Sequence, residues 1–274
     1  YEAFCVKMLG AVRQSLIFAR QQKEAGRPAG WLGWPLVATS HTWENGKNQQ
    51  SHQDTTFCEA LLGEMSDMVR VLFPADHNSV LATLPAIYQA RGQLACMVIP
   101  KRERPAVFSQ AQAEQLARDG AVLVEQLDGE EPLLLMACGS YQLAEMQRAA
   151  VRLRTAGLAY RLVYVQEPGR FRAPRDRWEA EALASPELIA QLFAPTLRRR
   201  VLLTHMRPEV ARGHLWPLLP EASNTVVLGY RNRGGTLDEA GMQFANSATW
   251  AHILDACAQL LQVPLSGVLS AAEI

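Results

Sequence analysis

The chain has 274 residues, 49% of them hydrophobic and 20% charged, enough for one large or two medium cores. Its 27 basic and 27 acidic residues cancel to a formal net charge of 0, so no global field argues for nucleic acid or a membrane as partner. No apolar run approaches the roughly 18 residues that span a bilayer, no signal-like amino terminus is present, and five cysteines without close pairing suggest reduced thiols in a cytoplasmic protein.

Residues 1–22 are expected to form a helix, because Phe4, Met8, Val12, Leu16 and Ala19 recur at helical spacing. The chain opens at Tyr1, without a methionine and inside this pattern, so a truncated or processed product is expected. Gly26, Pro28 and Gly30 break the helix. An apolar strand over 31–38 follows, with the polar run 39–54 at its C-terminal end, where ligands bind in open α/β sheets. Asp54, Thr55 and Thr56 can cap a helix over 57–68, with Glu59 in its first turn. Next come a strand over 68–73, a helix capped by Asn78 and Ser79 and running to 89, and a strand over 94–99 that delivers Lys101. This alternation predicts a parallel α/β unit with right-handed crossovers. A helix over 109–119 follows.

The polar stretch 127–132, with Gly129 and Pro132, is the best boundary and divides 1–126 from 127–274. Beyond it, strands over 133–137, 160–165, 200–204 and 225–229 alternate with helices over 143–155, 186–193, 208–216 and 248–261. The predicted fold is therefore α/β, with two doubly wound, mostly parallel, three-layer α/β/α domains. Cys96 and Cys138 fall in apolar strand-like runs and are expected to be inert core thiols. No CxxC or HExxH is present, so a metal site made by this chain alone is not expected.

The run 39–54 reads TSHTWENGKNQQSHQD and holds His41, Glu44, Asn45, Lys47, Asn48 and His52 with almost nothing apolar. Composition alone describes a solvated surface loop. Loops on rigid scaffolds are also where binding and catalytic groups sit, and hydrogen-bonding groups are unusually dense here. His41 reads equally as structural or catalytic. His77, His205, His214 and His252 read as capping or surface groups. The basic run Arg198, Arg199, Arg200 reads as a solvated strand edge. The glycine-rich segment 231–236 reads as a turn; its backbone N–H groups are of the kind that cradle phosphate, but the helix-opening lysine of a phosphate-binding loop is missing.

The polar run resembles the loop TSH-x-W-x4-N-x3-HQD of phosphoketolases, thiamine-diphosphate enzymes that cleave ketose phosphates with inorganic phosphate. Thr39, Ser40, His41, Trp43, Asn48, Ser51, His52, Gln53 and Asp54 fit it. Tyr1-Glu2-Ala3-Phe4 is similar to the family's YEAF helix. Val69-Arg70-Val71, leading to Pro74-Ala75-Asp76, is similar to its VRVYLPPDAN. Lys101 fits the lysine of its IVAGKQP, Met136-Ala137-Cys138-Gly139 the start of its C-terminal domain, and Gly229-Tyr230 its GY turn. The resemblance covers nearly the whole chain, and the loop is its specific part.

The resemblance implies a transketolase-like fold, with this chain corresponding to the pyrimidine-binding and C-terminal domains. It implies thiamine diphosphate with Mg2+, held mainly by a diphosphate-binding domain on the N-terminal side of Tyr1. The glutamate that contacts the cofactor's aminopyrimidine is expected there too. It also implies a sugar phosphate and inorganic phosphate as ligands and a cytoplasmic homodimer, with no nucleic acid and no membrane. His52 then stands as the acid–base group near the cofactor, a role suited to an imidazole. Lys47 and Lys101 stand as phosphate contacts, Asn48 lies beside the substrate, and Tyr1 stacks near the pyrimidine. Two departures stand out. Lys47 replaces a usual histidine, keeping charge but shuttling protons poorly, and Gln49 and Gln50 replace a Gly-Phe pair. A catalytically diverged paralogue or assembly module is the alternative. Another thiamine enzyme, such as a transketolase, explains two α/β domains but not the loop.

Overall fold

A computed structural model describes residues 1–28, 33–39, 41–44, 52–219, 221–270 and 273. The expected first helix is three pieces: α1 (Glu2–Cys5), a 3-10 turn (Val6–Met8) and α2 (Leu9–Glu24). Val12, Leu16 and Ala19 form the buried face of α2, as the periodicity predicts. After β1 (Trp34–Ala38), a 3-10 turn at Thr42–Glu44 and α3 (Thr56–Leu62), the chain reaches β2 (Val69–Leu72). α3 stops at Gly63, well short of the expected 68.

α4 (His77–Gln89) is capped by Asp76 rather than by Asn78 and Ser79. The Asp76 carboxylate accepts from the Ser79 N–H at 2.9 Å, and the Ser79 hydroxyl accepts from the Asp76 N–H at 3.1 Å. The other Asp76 oxygen accepts from the N–H groups of Val107 and Phe108, so one side chain ties α4 to the chain leaving β3 (Leu94–Val98). α5 (Gln110–Asp119) begins at a Ser109 cap and ends at Gly120, whose φ of +80° suits glycine.

The rest of the chain runs β4 (Ala121–Leu127), β5 (Leu133–Cys138), α6 (Ser140–Thr155), β6 (Tyr160–Val165), α7 (Arg177–Ala182) and α8 (Pro186–Leu192). It then forms β7 (Arg200–Thr204), α9 (Pro208–His214), β8 (Thr225–Leu228), α10 (Glu239–Ala245) and α11 (Trp250–Leu261). One sheet has the order β1-β3-β2 and is wholly parallel. The other has the order β4-β6-β5-β7-β8, parallel except that its edge strand β4 runs antiparallel to β6. β4 was not expected, and the stretch 128–132 joins two strands of this sheet.

The central strands of the larger sheet are buried on both faces, as parallel strands are. Leu134, Met136 and Cys138 share one apolar cluster with Val69, Val71, Leu94 and Cys96, so that face of the larger sheet and the smaller sheet contribute to a single core. Leu133, Leu135 and Ala137 pack on the opposite face with α6 and α11. Each such fully buried aliphatic side chain contributes about 1.5–3 kcal/mol. Burial pushes the Cys96 and Cys138 thiols well up, consistent with inert core groups. Arg200 corrects another expectation. It is 3% exposed and, at the start of β7, donates to the carbonyls of Leu197 and Leu218.

Candidate active site

The first turn of α1 sends its side chains two ways. Tyr1 and Phe4 are 46% and 43% exposed, whereas Glu2 is 0% exposed. His52 packs against the outward pair, its ring centroid 5.1 Å from Tyr1 and 4.8 Å from Phe4, with the two aromatic rings 5.5 Å apart. Tyr1 and His52, expected near one another only through the resemblance, are therefore in direct contact.

Inward, Glu2 gathers groups from three other parts of the chain. Its carboxylate accepts from the Thr42 N–H at 2.9 Å and the Thr42 hydroxyl at 3.1 Å. The Cys58 thiol lies 3.3 Å away, and Nε2 of His205 sits 3.0 Å from both carboxylate oxygens. Burial alone raises a carboxyl pKa, but His205 and the Thr42 donors outweigh it and hold Glu2 below its ordinary value. His205 is thus a buried partner rather than a capping or surface group. His41 is buried too, its ring 5.2 Å from those of His205 and Tyr141, and burial together with the nearby His205 lowers its pKa to about 4.

Glu2, Cys58 and His205 have the residue types of a metal centre, with their donor atoms within 4.8 Å of one another. Those atoms already bond to each other. Burial and the Glu2 charge push the Cys58 thiol well above its usual range, away from the thiolate a metal needs. The trio is a hydrogen-bond knot.

The HQD segment is fixed by the segments that follow β7 and β8. Gln53 donates to the Gly235 carbonyl at 2.9 Å, and the Tyr230 hydroxyl donates to the Gln53 carbonyl at 3.0 Å. Asp54 accepts from the Thr56 N–H at 2.8 Å and from Arg207 at 3.0 Å. Arg207 also pairs with Glu59, which itself accepts from the Thr55 hydroxyl at 2.6 Å. Trp43 Nε1 donates to the His205 carbonyl at 3.1 Å. Gly229 lets the chain leaving β8 lie close against the chain leaving β7, since a Cβ there would lie 2.3 Å from the Met206 carbonyl oxygen. The sequence assigned no role to Glu2 or Arg207, although Glu2 lies within the YEAF match, and placed Glu59 only in the first turn of its helix.

Lys101 is exposed just after β3. Its N–H donates to Glu44 at 2.7 Å and that of Arg102 to the same carboxylate at 3.0 Å, tying this turn to the Thr42–Glu44 segment. Tyr141 also donates to Glu44, at 2.8 Å. Lys47, Asn48, Gln49 and Gln50 lie outside the described residues.

A family model for D-xylulose 5-phosphate/D-fructose 6-phosphate phosphoketolase matches residues 1–90, the span that contains the Tyr1 turn and the His52 loop. The chain is 27% identical over 156 residues to a probable phosphoketolase of Pediococcus pentosaceus, covering 56% of this chain and 20% of that protein. It is 26% identical over 203 residues to a probable phosphoketolase of Lactococcus lactis, covering 72% and 25%. The chain thus spans a quarter or less of these relatives' length. A transketolase from Leishmania mexicana superposes with a TM-score of 0.68 at 15% identity, covering 98% of this chain and 34% of that one. The sequence is similar to the phosphoketolase family, and the fold is a transketolase-like α/β fold.

Proposed function

We propose that this chain is part of a phosphoketolase-like aldehyde-lyase. The reaction cleaves a ketose phosphate, xylulose 5-phosphate or fructose 6-phosphate, with inorganic phosphate and yields acetyl phosphate and an aldose phosphate. The observation that carries the proposal is the seating of His52, from the best-matching loop, against Tyr1 and Phe4, from the second matching motif.

The residues present fit one end of thiamine diphosphate, the cofactor of this family. The exposed rings of Tyr1 and Phe4 offer an apolar wall suited to its aminopyrimidine. When bound, the cofactor supplies the electron sink for carbon–carbon cleavage. Its diphosphate and Mg2+ would be held by a domain outside this chain. His52 would take and return a proton at its imidazole. Lys101, and with it Lys47 and Asn48, would hold the sugar phosphate by charge and hydrogen bonding. The Glu2 knot and the Arg207 clasp would keep His52 in place without touching substrate. Two α/β units, one around each sheet, and a cytoplasmic homodimer complete the proposal.

Lys47 and the Gln49–Gln50 pair favour a second reading, in which the chain keeps the fold but serves a catalytically diverged paralogue or assembly module. Acetyl phosphate formation by the full protein from xylulose 5-phosphate and phosphate, with thiamine diphosphate and Mg2+ present, separates the two. Turnover is expected. No product from either ketose phosphate moves the paralogue ahead.

A further inference from the structure

A cavity of about 950 Å³ opens beside the clasp that holds the HQD segment. Arg207, Arg212, Arg231 and Arg233 line it, against one acid, Glu209. Among the described residues, only Arg207 of the four pairs with a carboxylate. Arg212 and Arg231 bond only neutral oxygens, those of Thr225 and Ser247.

The wall that carries Arg231 and Arg233 is built and fixed. Asn246 is fully buried; its side-chain oxygen accepts from the N–H groups of Arg231, at 2.7 Å, and Arg233, at 3.2 Å, and its amide donates to the Arg233 carbonyl at 2.9 Å. Gly234 follows at φ +108°, where a Cβ would lie 2.5 Å from the Met242 sulfur. The glycine-rich turn therefore does not cradle phosphate through its backbone at 231 and 233. It presents guanidinium groups instead.

Beside the paired Arg207, the three guanidiniums of Arg212, Arg231 and Arg233 repel one another, and an anion in their midst relieves that repulsion. Their planar forks match phosphate oxygens in pairs. The volume lies near the top of the roughly 300–1,000 Å³ range of small-molecule sites, too large for a lone phosphate ion. We propose that this cavity binds a small molecule carrying two or more phosphate groups, and that its occupant shares Arg207 with Asp54. Arg207 and Tyr230 both line the cavity and hold Asp54 and Gln53, so the ligand meets the groups that fix the residue next to His52. The site goes beyond the phosphoketolase reading and does not depend on it.

Calorimetric titration of 2,3-bisphosphoglycerate into the full protein, saturated with thiamine diphosphate and Mg2+, tests the site without reading turnover. The parent binds. An Arg231→Ala/Arg233→Ala variant, altered at two exposed positions, loses affinity by about tenfold or more for each arginine removed. Asp54→Asn frees Arg207 from one acid and tightens binding several-fold. Lys101→Ala leaves it unchanged, which separates this cavity from the proposed sugar-phosphate contact. Equal affinity in the parent and the double arginine variant overturns the proposal, as does the absence of binding at millimolar ligand. Neither result bears on acetyl phosphate formation.

Discussion

Tyr1 and Glu2 are neighbours in sequence, yet Glu2 is sealed among Thr42, Cys58 and His205 while Tyr1 leaves nearly half its surface exposed beside His52. The inward region is rich in charge and hydrogen bonds, and every partner is fixed by burial. The outward region meets through ring contacts among Tyr1, Phe4 and His52. Because one short helical turn carries both, the buried face sets where the exposed face stands. That division teaches which residues to test for stability and which for chemistry.

Removing the inward carboxylate should break the arrangement most severely. Glu2→Ala leaves His205 and the Thr42 donors buried without their shared acceptor, at a cost of about 3–5 kcal/mol. Urea denaturation checks this. A loss below about 1 kcal/mol contradicts the assigned role of the knot.

Acid should loosen the same region. His41 titrates near pH 4 in the fold against an ordinary value of 6.5. Between those values the unfolded chain binds the extra proton, so the stabilisation is complete above about 6.5 and falls as pH drops towards 4. From pH 7 to pH 5 the loss amounts to about 2 kcal/mol. The lowered pKa of Glu2 acts in the same direction further down, being lost as pH falls through its folded value. Stability measured at the two pH values in the parent and in His41→Gln checks the first effect, since the variant should lose less on acidification.

Sequence made one side of this comparison legible and hid the other. The outward cluster came from motifs, because Tyr1 and His52 each sit in a recognisable string. The Glu2–His205 contact joins residues 203 positions apart, and no local spacing reports such a pair. Strands 160–165 and 200–204 were readable to the residue because central parallel strands are continuous apolar runs. β4 was missed because Glu125 and Gln126, tolerated where an edge strand pairs on one side, look like a linker. α7 and α10, of 6 and 7 residues, were not expected, whereas α8 and α9, of 7 residues each, open on a proline that marks a helix start. Arg200 was misread because three successive arginines suggest solvent, while its carbonyl partners converge only in the fold.

The outward face offers two smaller tests in the full protein. Lys101→Ala should raise KM for the sugar phosphate roughly tenfold with little change in kcat, because it removes binding charge rather than proton transfer. A fall in kcat at unchanged KM would place Lys101 in the chemistry instead. Lys47→His should leave KM within about twofold and raise kcat, restoring a group that shuttles protons. An unchanged or lower kcat removes that interpretation of the Lys47 departure.

The central claim is that His52 handles a proton in the reaction while the residues behind it only hold it in place. Steady-state acetyl phosphate formation from xylulose 5-phosphate and phosphate by the full protein, parent against His52→Ala, tests it most directly. The account predicts a loss of about 10²–10⁴-fold in kcat with a far smaller change in KM. Near-parental kcat in His52→Ala, from a parent that turns over, would show the loop to be scaffolding and contradict the claim.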